Sequence, residues 1–97
     1  MGKNNLTAGY DLNNAPLDST LVTTDGDISA SLLNQPVTGK RSNVWCRTFG
    51  ILGGYSIQIL VYTSNSDAKP YTYIRKRKQL GGTWSYDVWH IIDMASV

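Results

Sequence analysis

Cys46 and His90 are the one thiol and the one imidazole of this chain, and in principle they could form a thiolate–imidazolium pair. Such a pair needs a third group to orient the imidazole and donors to receive an oxyanion, and no local motif supplies either. Cys46, between Trp45 and Arg47, reads as a small buried hydrophobe. His90, between Trp89 and Ile91, reads as a satisfied, partly buried histidine. Asp25 and Asp27 are spaced like the start of a calcium loop, but the twelfth position from Asp25 is Pro36, where an EF-hand requires a bidentate Glu. That site is excluded, leaving only weak, irregular Ca²⁺ coordination by the two carboxylates as a metal reading. No catalytic residue, metal or cofactor is expected, and the chain does not read as an enzyme.

The remaining chemistry is that of a surface. Arg75-Lys76-Arg77-Lys78 is the densest charge run, with Tyr71, Tyr73 and Trp84 nearby as stacking platforms. On a strand these side chains alternate, so Arg75 and Arg77 face one way while Lys76 and Lys78 face the other, and no single dense patch forms. A solvated strand that guards a sheet edge is the plainest reading of the run. Trp84, Trp89, Tyr86, Tyr71 and Tyr73 crowd the last third, where they suit either a small core or sugar-stacking faces. Trp84, beside Gly81-Gly82, reads as core, and Tyr86, in the loop after it, as exposed. The candidate ligand-binding residues are therefore Tyr86, Arg75, Arg77 and Lys69, a ring and cations suited to an anionic surface glycan.

These groups must be positioned by a small domain. Ninety-seven residues make one modest core. All seven acids are Asp, and Thr, Ser, Asn, Gly, Tyr and Trp are plentiful, which favours strands and turns over helices. The net charge of +2 implies no strong electrostatic partner, although residues 1–39 sum to −3 and residues 40–97 to +5. A lone cysteine excludes an intrachain disulfide. No apolar run approaches the roughly 18 residues of a membrane span, no secretory h-region is visible, and membrane insertion is not expected.

Along the chain, residues 1–9 are polar and read as a connector, with Met1-Gly2 as an appended start to a piece of something longer. Residues 10–97 form the domain. Tyr10 to Leu17 is rich in turn formers. Leu21-Val22-Thr23-Thr24 is a short strand, and Asp27 could cap a single helical turn reaching Leu33, extended chain being the alternative. Val44 to Phe49 is a strand, Gly53-Gly54 a tight reversal, and 55–63 the clearest strand of all. In it Ile57, Ile59 and Val61 share one face, and Gln58, Leu60 and Tyr62 the other. Residues 64–70 form a hairpin loop, 71–78 the returning strand, and Gly81-Gly82 a further turn. The fold class is mainly β, a small antiparallel domain with at most one short helix.

In order and spacing, Asp11-Leu12-Asn13, Gly26, Asn34-Gln35-Pro36, Val44 to Phe49, Gly54, Gln58, Tyr71 or Tyr73 with Arg75, and Gly82-Thr83-Trp84-Ser85 resemble the pyocin-knob family of phage tail-fibre and baseplate-appendage domains. The resemblance covers about residues 10–92. Two features depart from it: Tyr86-Asp87-Val88 pushes the second tryptophan out to Trp89, and no aromatic accompanies Gly26. The family carries no fixed catalytic residues. The resemblance implies a homotrimer around a three-fold axis at the distal tip of a fibre, joined to upstream fibre segments. It implies a virion structural protein, assembled in the host cytoplasm, that binds a bacterial surface glycan or other receptor. The alternative is a carbohydrate- or single-stranded nucleic-acid-binding β module of a cellular protein, nucleic acid being the disfavoured partner.

Overall fold

A computed structural model describes residues 3–67 and 69–93, the side chain of Lys3 excepted. Met1-Gly2 and the last four residues of the expected domain lie outside them. The strands are β1 (Lys3–Asn5), β2 (Ser19–Thr23), β3 (Asn43–Thr48), β4 (Tyr55–Thr63), β5 (Tyr71–Leu80), β6 (Thr83–Tyr86) and β7 (His90–Ile92). They form one mixed sheet in the order β1-β2-β3-β4-β5-β6, with β7 also pairing β5. The expectation of a mainly β fold holds. Its antiparallel character holds from β2 onward, whereas β1 runs parallel to β2. Leu6, just beyond β1, is buried in the core. A leucine set among mostly polar neighbours gives that segment a reason to dock.

Among the described residues there is one α-helix, α1 (Gly26–Ser31), capped by Asp25, whose carboxylate accepts from the backbone N–H groups of Asp27 and Ile28. Asp27 is not the cap; it pairs with Arg41 on the surface. Gly53 and Gly54 both have positive φ (63° and 87°) in the reversal between β3 and β4, which favours glycine at each position. A 3-10 turn over Leu12–Asn14, α1 and the loops around them cover one face of the sheet.

Strand alternation then decides what is inside. Leu21, Cys46, Leu60 and Tyr73 lie in one cross-strand row on the covered face, with Val44 and Tyr62 in the next. Leu12, Ala15 and Leu32 close the core from above. A third row on the same face is polar: Thr48, Gln58 and Arg75, the first two wholly buried and Arg75 only 5% exposed. The opposite face carries Val22, Trp45, Val61, Thr72 and Ile92 in one row, and Arg47, Ile59, Ile74 and His90 in the next. Ile57 extends it. No second layer of the described chain covers these residues: Ile57, Ile59, Val61 and Ile74 are half-buried, and Trp45 and Ile92 are exposed.

Candidate functional site

Arg75 and Arg77 sit on the inward face of β5, as alternation requires, beside the row of Gln58 and Thr48. They are not the solvated edge that the charge run suggested; Arg77 is only 3% exposed. Lys76 and Lys78 take the exposed side. The reason is local. The turn over Leu12–Asn14 lays its carbonyl groups across the end of β5, and guanidinium groups can reach those acceptors while their stems remain against the core.

The donors are distributed unequally. Arg75 donates through Nε to Oε1 of Gln58 at 2.7 Å and through Nη2 to Oδ1 of Asn13 at 2.9 Å. Among the described residues Arg77 donates through Nη1 alone, to the carbonyl groups of Ala15 at 2.9 Å and Asn13 at 3.3 Å. Nε of Arg77 is buried without an acceptor. No carboxylate makes an ion pair with either arginine among the described residues. Burial, the dominant influence, lowers Arg75 to about 10, opposed by weaker attraction from Cys46, Tyr86 and Asp11 and reinforced by Arg77. Arg77 is lowered by the same cause. Both remain cationic at neutral pH.

Aromatic rings take the place of counter-ions. The guanidinium carbon of Arg75 lies 4.4 Å from the ring centre of Trp89 and 5.4 Å from that of Tyr86. That of Arg77 lies 4.8 Å from Trp84 and 6.0 Å from Tyr86. Register explains the ladder: Tyr86 on β6 pairs Arg77, and Trp84 pairs Gln79, so both rings fall on the inward face. Trp89 is held by its indole N–H, which donates to the carbonyl of Asn34 at 2.8 Å, and the Tyr86 hydroxyl donates to the carbonyl of Asn13 at 3.2 Å. Each stacked cation contributes ~0.5–2 kcal/mol, depending on how dry it is.

Two open clefts flank Tyr86. One, of about 270 Å³, is lined by Asn34, Arg75, Asp87 and Trp89; the other, of about 460 Å³, by Asn14, Ile51, Arg77, Gln79 and Trp84. Of the sequence-derived candidates, Tyr86, Arg75 and Arg77 come together here, with Tyr86 on the surface as expected. Lys69 does not join them. It lies beyond the opposite end of β5, where its ammonium is 3.4 Å from Asp93. Trp84 is half-buried on the rim and is not part of the core, which forms instead around Leu60 and Tyr62.

Sequence reasoning missed Asn13, Gln58 and Trp89 as parts of this assembly. Asn13 and Gln58 were already among the residues that resemble the fibre family. So was Asn34, whose amide donates to the Asp11 carboxylate at 2.8 Å, and Gln35, which accepts from the Tyr62 hydroxyl at 2.7 Å. These scattered positions converge on one network between the turn over Leu12–Asn14, the Asn34-Gln35 loop and the sheet.

The thiol and imidazole do not meet. Cys46 is on the inward face, wholly buried, and its thiol is pushed up to about 12 mainly by that burial, against the opposing charges of Arg75 and Arg77. His90 lies exposed on the outward face; the strand β7 is an edge, so the apolar neighbours that suggested burial do not enclose it. No group of three or more His, Cys, Asp or Glu residues is placed to hold a metal among the described residues. The assembly can therefore stack rings and donate to an anion. No family model matches this chain, and neither a curated protein nor a solved structure is found to be similar to it.

Proposed function

We propose that this chain is a virion structural domain at the distal tip of a phage tail fibre or appendage, where it trimerises and contributes to host cell-surface binding. The observation that carries this reading is the outward face of the sheet. An antiparallel sheet with one solvated face alternates apolar inward and polar outward. Here Val22, Trp45, Ile57, Ile59, Val61, Ile74 and Ile92 occupy the outward side. A contiguous apolar surface of this kind marks an interface. Copies packed around a three-fold axis would complete the burial of these side chains, each contributing a fraction of the ~1.5–3 kcal/mol of a fully buried Ile or Val. The ladder of Trp89, Arg75, Tyr86, Arg77 and Trp84 lies on the other side of the sheet and would stay accessible. Three such sites would act together, so weak single sites suffice for attachment.

Light scattering on the purified chain tests the assembly, with an expected mass of about three times the 10.7 kDa protomer. Ile59→Lys is expected to dissociate the trimer into folded monomers, because it places a charge at the centre of the outward face. Attachment to bacterial cells should require the trimer. A wild-type chain that stays monomeric at high concentration would overturn the reading. It would favour the carbohydrate-binding module of a cellular protein, which the stacked ladder also supports.

A further inference from the structure

We propose that the cleft beside Arg77 is a subsite for one acidic sugar residue, whose carboxylate or phosphate engages the unused edge of the Arg77 guanidinium. This rests on the reading of the chain as a glycan-binding tip and specifies the chemistry of its ligand. A guanidinium presents its N–H groups as forks, and the side-on fork consists of Nε and Nη2. Arg77 spends Nη1 on the carbonyl groups of Asn13 and Ala15. Neither Nε nor Nη2 has an acceptor within the described chain, and Nε is out of reach of solvent. A buried cationic donor left without a partner is costly, and a bidentate acid would satisfy both nitrogens.

The two clefts differ in charge. The one at Arg75 includes Asp87 in its wall, which repels an anion. The one at Arg77 has no carboxylate among its lining residues. Its walls offer the half-exposed indole of Trp84 and the exposed ring of Tyr86 for a sugar face, and the amides of Asn14 and Gln79 for hydroxyl groups. Its volume of about 460 Å³ falls within the ~300–1,000 Å³ of small-molecule sites. Because Nε is shielded, the fork is completed only as the side chains over it yield, and the rings of Trp84 and Tyr86, 4.8 and 6.0 Å from the guanidinium carbon, should both report binding.

The test is a titration of the 97-residue chain with glucuronate, glucose 6-phosphate, glucose and acetate, following the indole N–H resonance of Trp84. Saturable shifts are expected with glucuronate or glucose 6-phosphate, the tighter of the two identifying the acid, and binding at least about tenfold weaker with glucose and with acetate. Equal binding of glucose overturns the role of Arg77; equal binding of acetate overturns the sugar; no shift with any acidic sugar overturns both. Arg77→Lys keeps the charge without the fork and should weaken binding, but its buried contacts put folding at risk. Ile51→Glu is the companion variant, since it adds a carboxylate to the cleft from an exposed loop position. It should weaken glucuronate at least about tenfold with the melting temperature unchanged, and undiminished binding by a folded Ile51→Glu chain would place the anion elsewhere. Cell attachment separates the two levels: trimers that attach while binding no acidic sugar sink the subsite alone, and a monomer that still binds glucuronate sinks the fibre-tip reading alone.

Discussion

Gln58 and Arg75 face each other across β4 and β5, and the amide oxygen of Gln58 accepts from Nε of Arg75 at 2.7 Å with both side chains buried. The amide nitrogen of Gln58 donates in turn to the carbonyl of Leu12 and the hydroxyl of Thr48. One side chain thereby ties the covering turn, β3 and β5 together, and makes a buried cation tolerable without a carboxylate.

Gln58→Leu is expected to cost on the order of 3 kcal/mol, because it preserves volume but leaves a buried charged donor and a buried carbonyl unsatisfied. At ~4–8 °C per kcal/mol for a domain of this size, the melting temperature should fall by about 12–24 °C. Replacing both partners by apolar groups removes the orphaned charge, so Gln58→Leu with Arg75→Met should recover at least half of the loss. A double variant less stable than Gln58→Leu alone would show that the pair is not the source of the cost.

The strands from β2 to β5 were legible in the sequence because alternation and glycine turns are local. Val44 to Phe49 is found as Asn43–Thr48, and 55–63 as Tyr55–Thr63, with Gly53-Gly54 reversing the chain between them. What alternation could not decide is which face looks inward. The more apolar set of β4, Ile57, Ile59 and Val61, is the one turned out, and Gln58 is turned in because Arg75 needs its amide. Two arginines in a run of four cations resemble a solvated edge until the covering turn supplies carbonyl acceptors from more than 60 positions away. The aromatic ladder depends on the register of β5 with β6, and β1 on a parallel partner; neither pairing leaves a local signal.

Cys46 should be unreactive toward a thiol reagent at pH 8 in the native protein and fully reactive in denaturant, since its thiol is buried and shifted to about 12. The unfolded thiol ionises near 9, the folded one near 12, so the folded state holds the proton more tightly and its stability is lost as pH rises between them. Tyr62, raised from 10 to about 12 mainly by burial, acts in the same direction. Arg75, lowered to about 10, acts in the opposite direction above that pH. Thermal melts should therefore show stability falling as pH rises above about 9, and Cys46→Val should flatten that fall.

Asp25→Ala removes the helix cap and should cost about 1 kcal/mol, whereas Asp27→Ala removes only an exposed ion pair and should stay within about 0.5 kcal/mol. Equilibrium denaturation of the two variants distinguishes them. Equal losses would mean that the cap bonds contribute nothing beyond surface charge.

Trp84 gives the sharpest contrast between sequence and structure. As a core residue, its truncation to Ala would cost ~3–5 kcal/mol and unfold a marginal domain. In the structure it is half-buried on the rim, with the guanidinium of Arg77 4.8 Å from its ring centre. What Trp84→Ala removes is one stacking partner and part of the cover over Arg77, while Tyr86 remains at 6.0 Å. The expected cost is about 1–2 kcal/mol, or a drop of roughly 4–16 °C in melting temperature. Trp84→Phe keeps a ring over the cation and should recover part of it. A loss that Trp84→Phe does not reduce would mean that indole packing, not the cation, sets the cost. A loss above about 3 kcal/mol would restore Trp84 to the core and close the cleft that it lines.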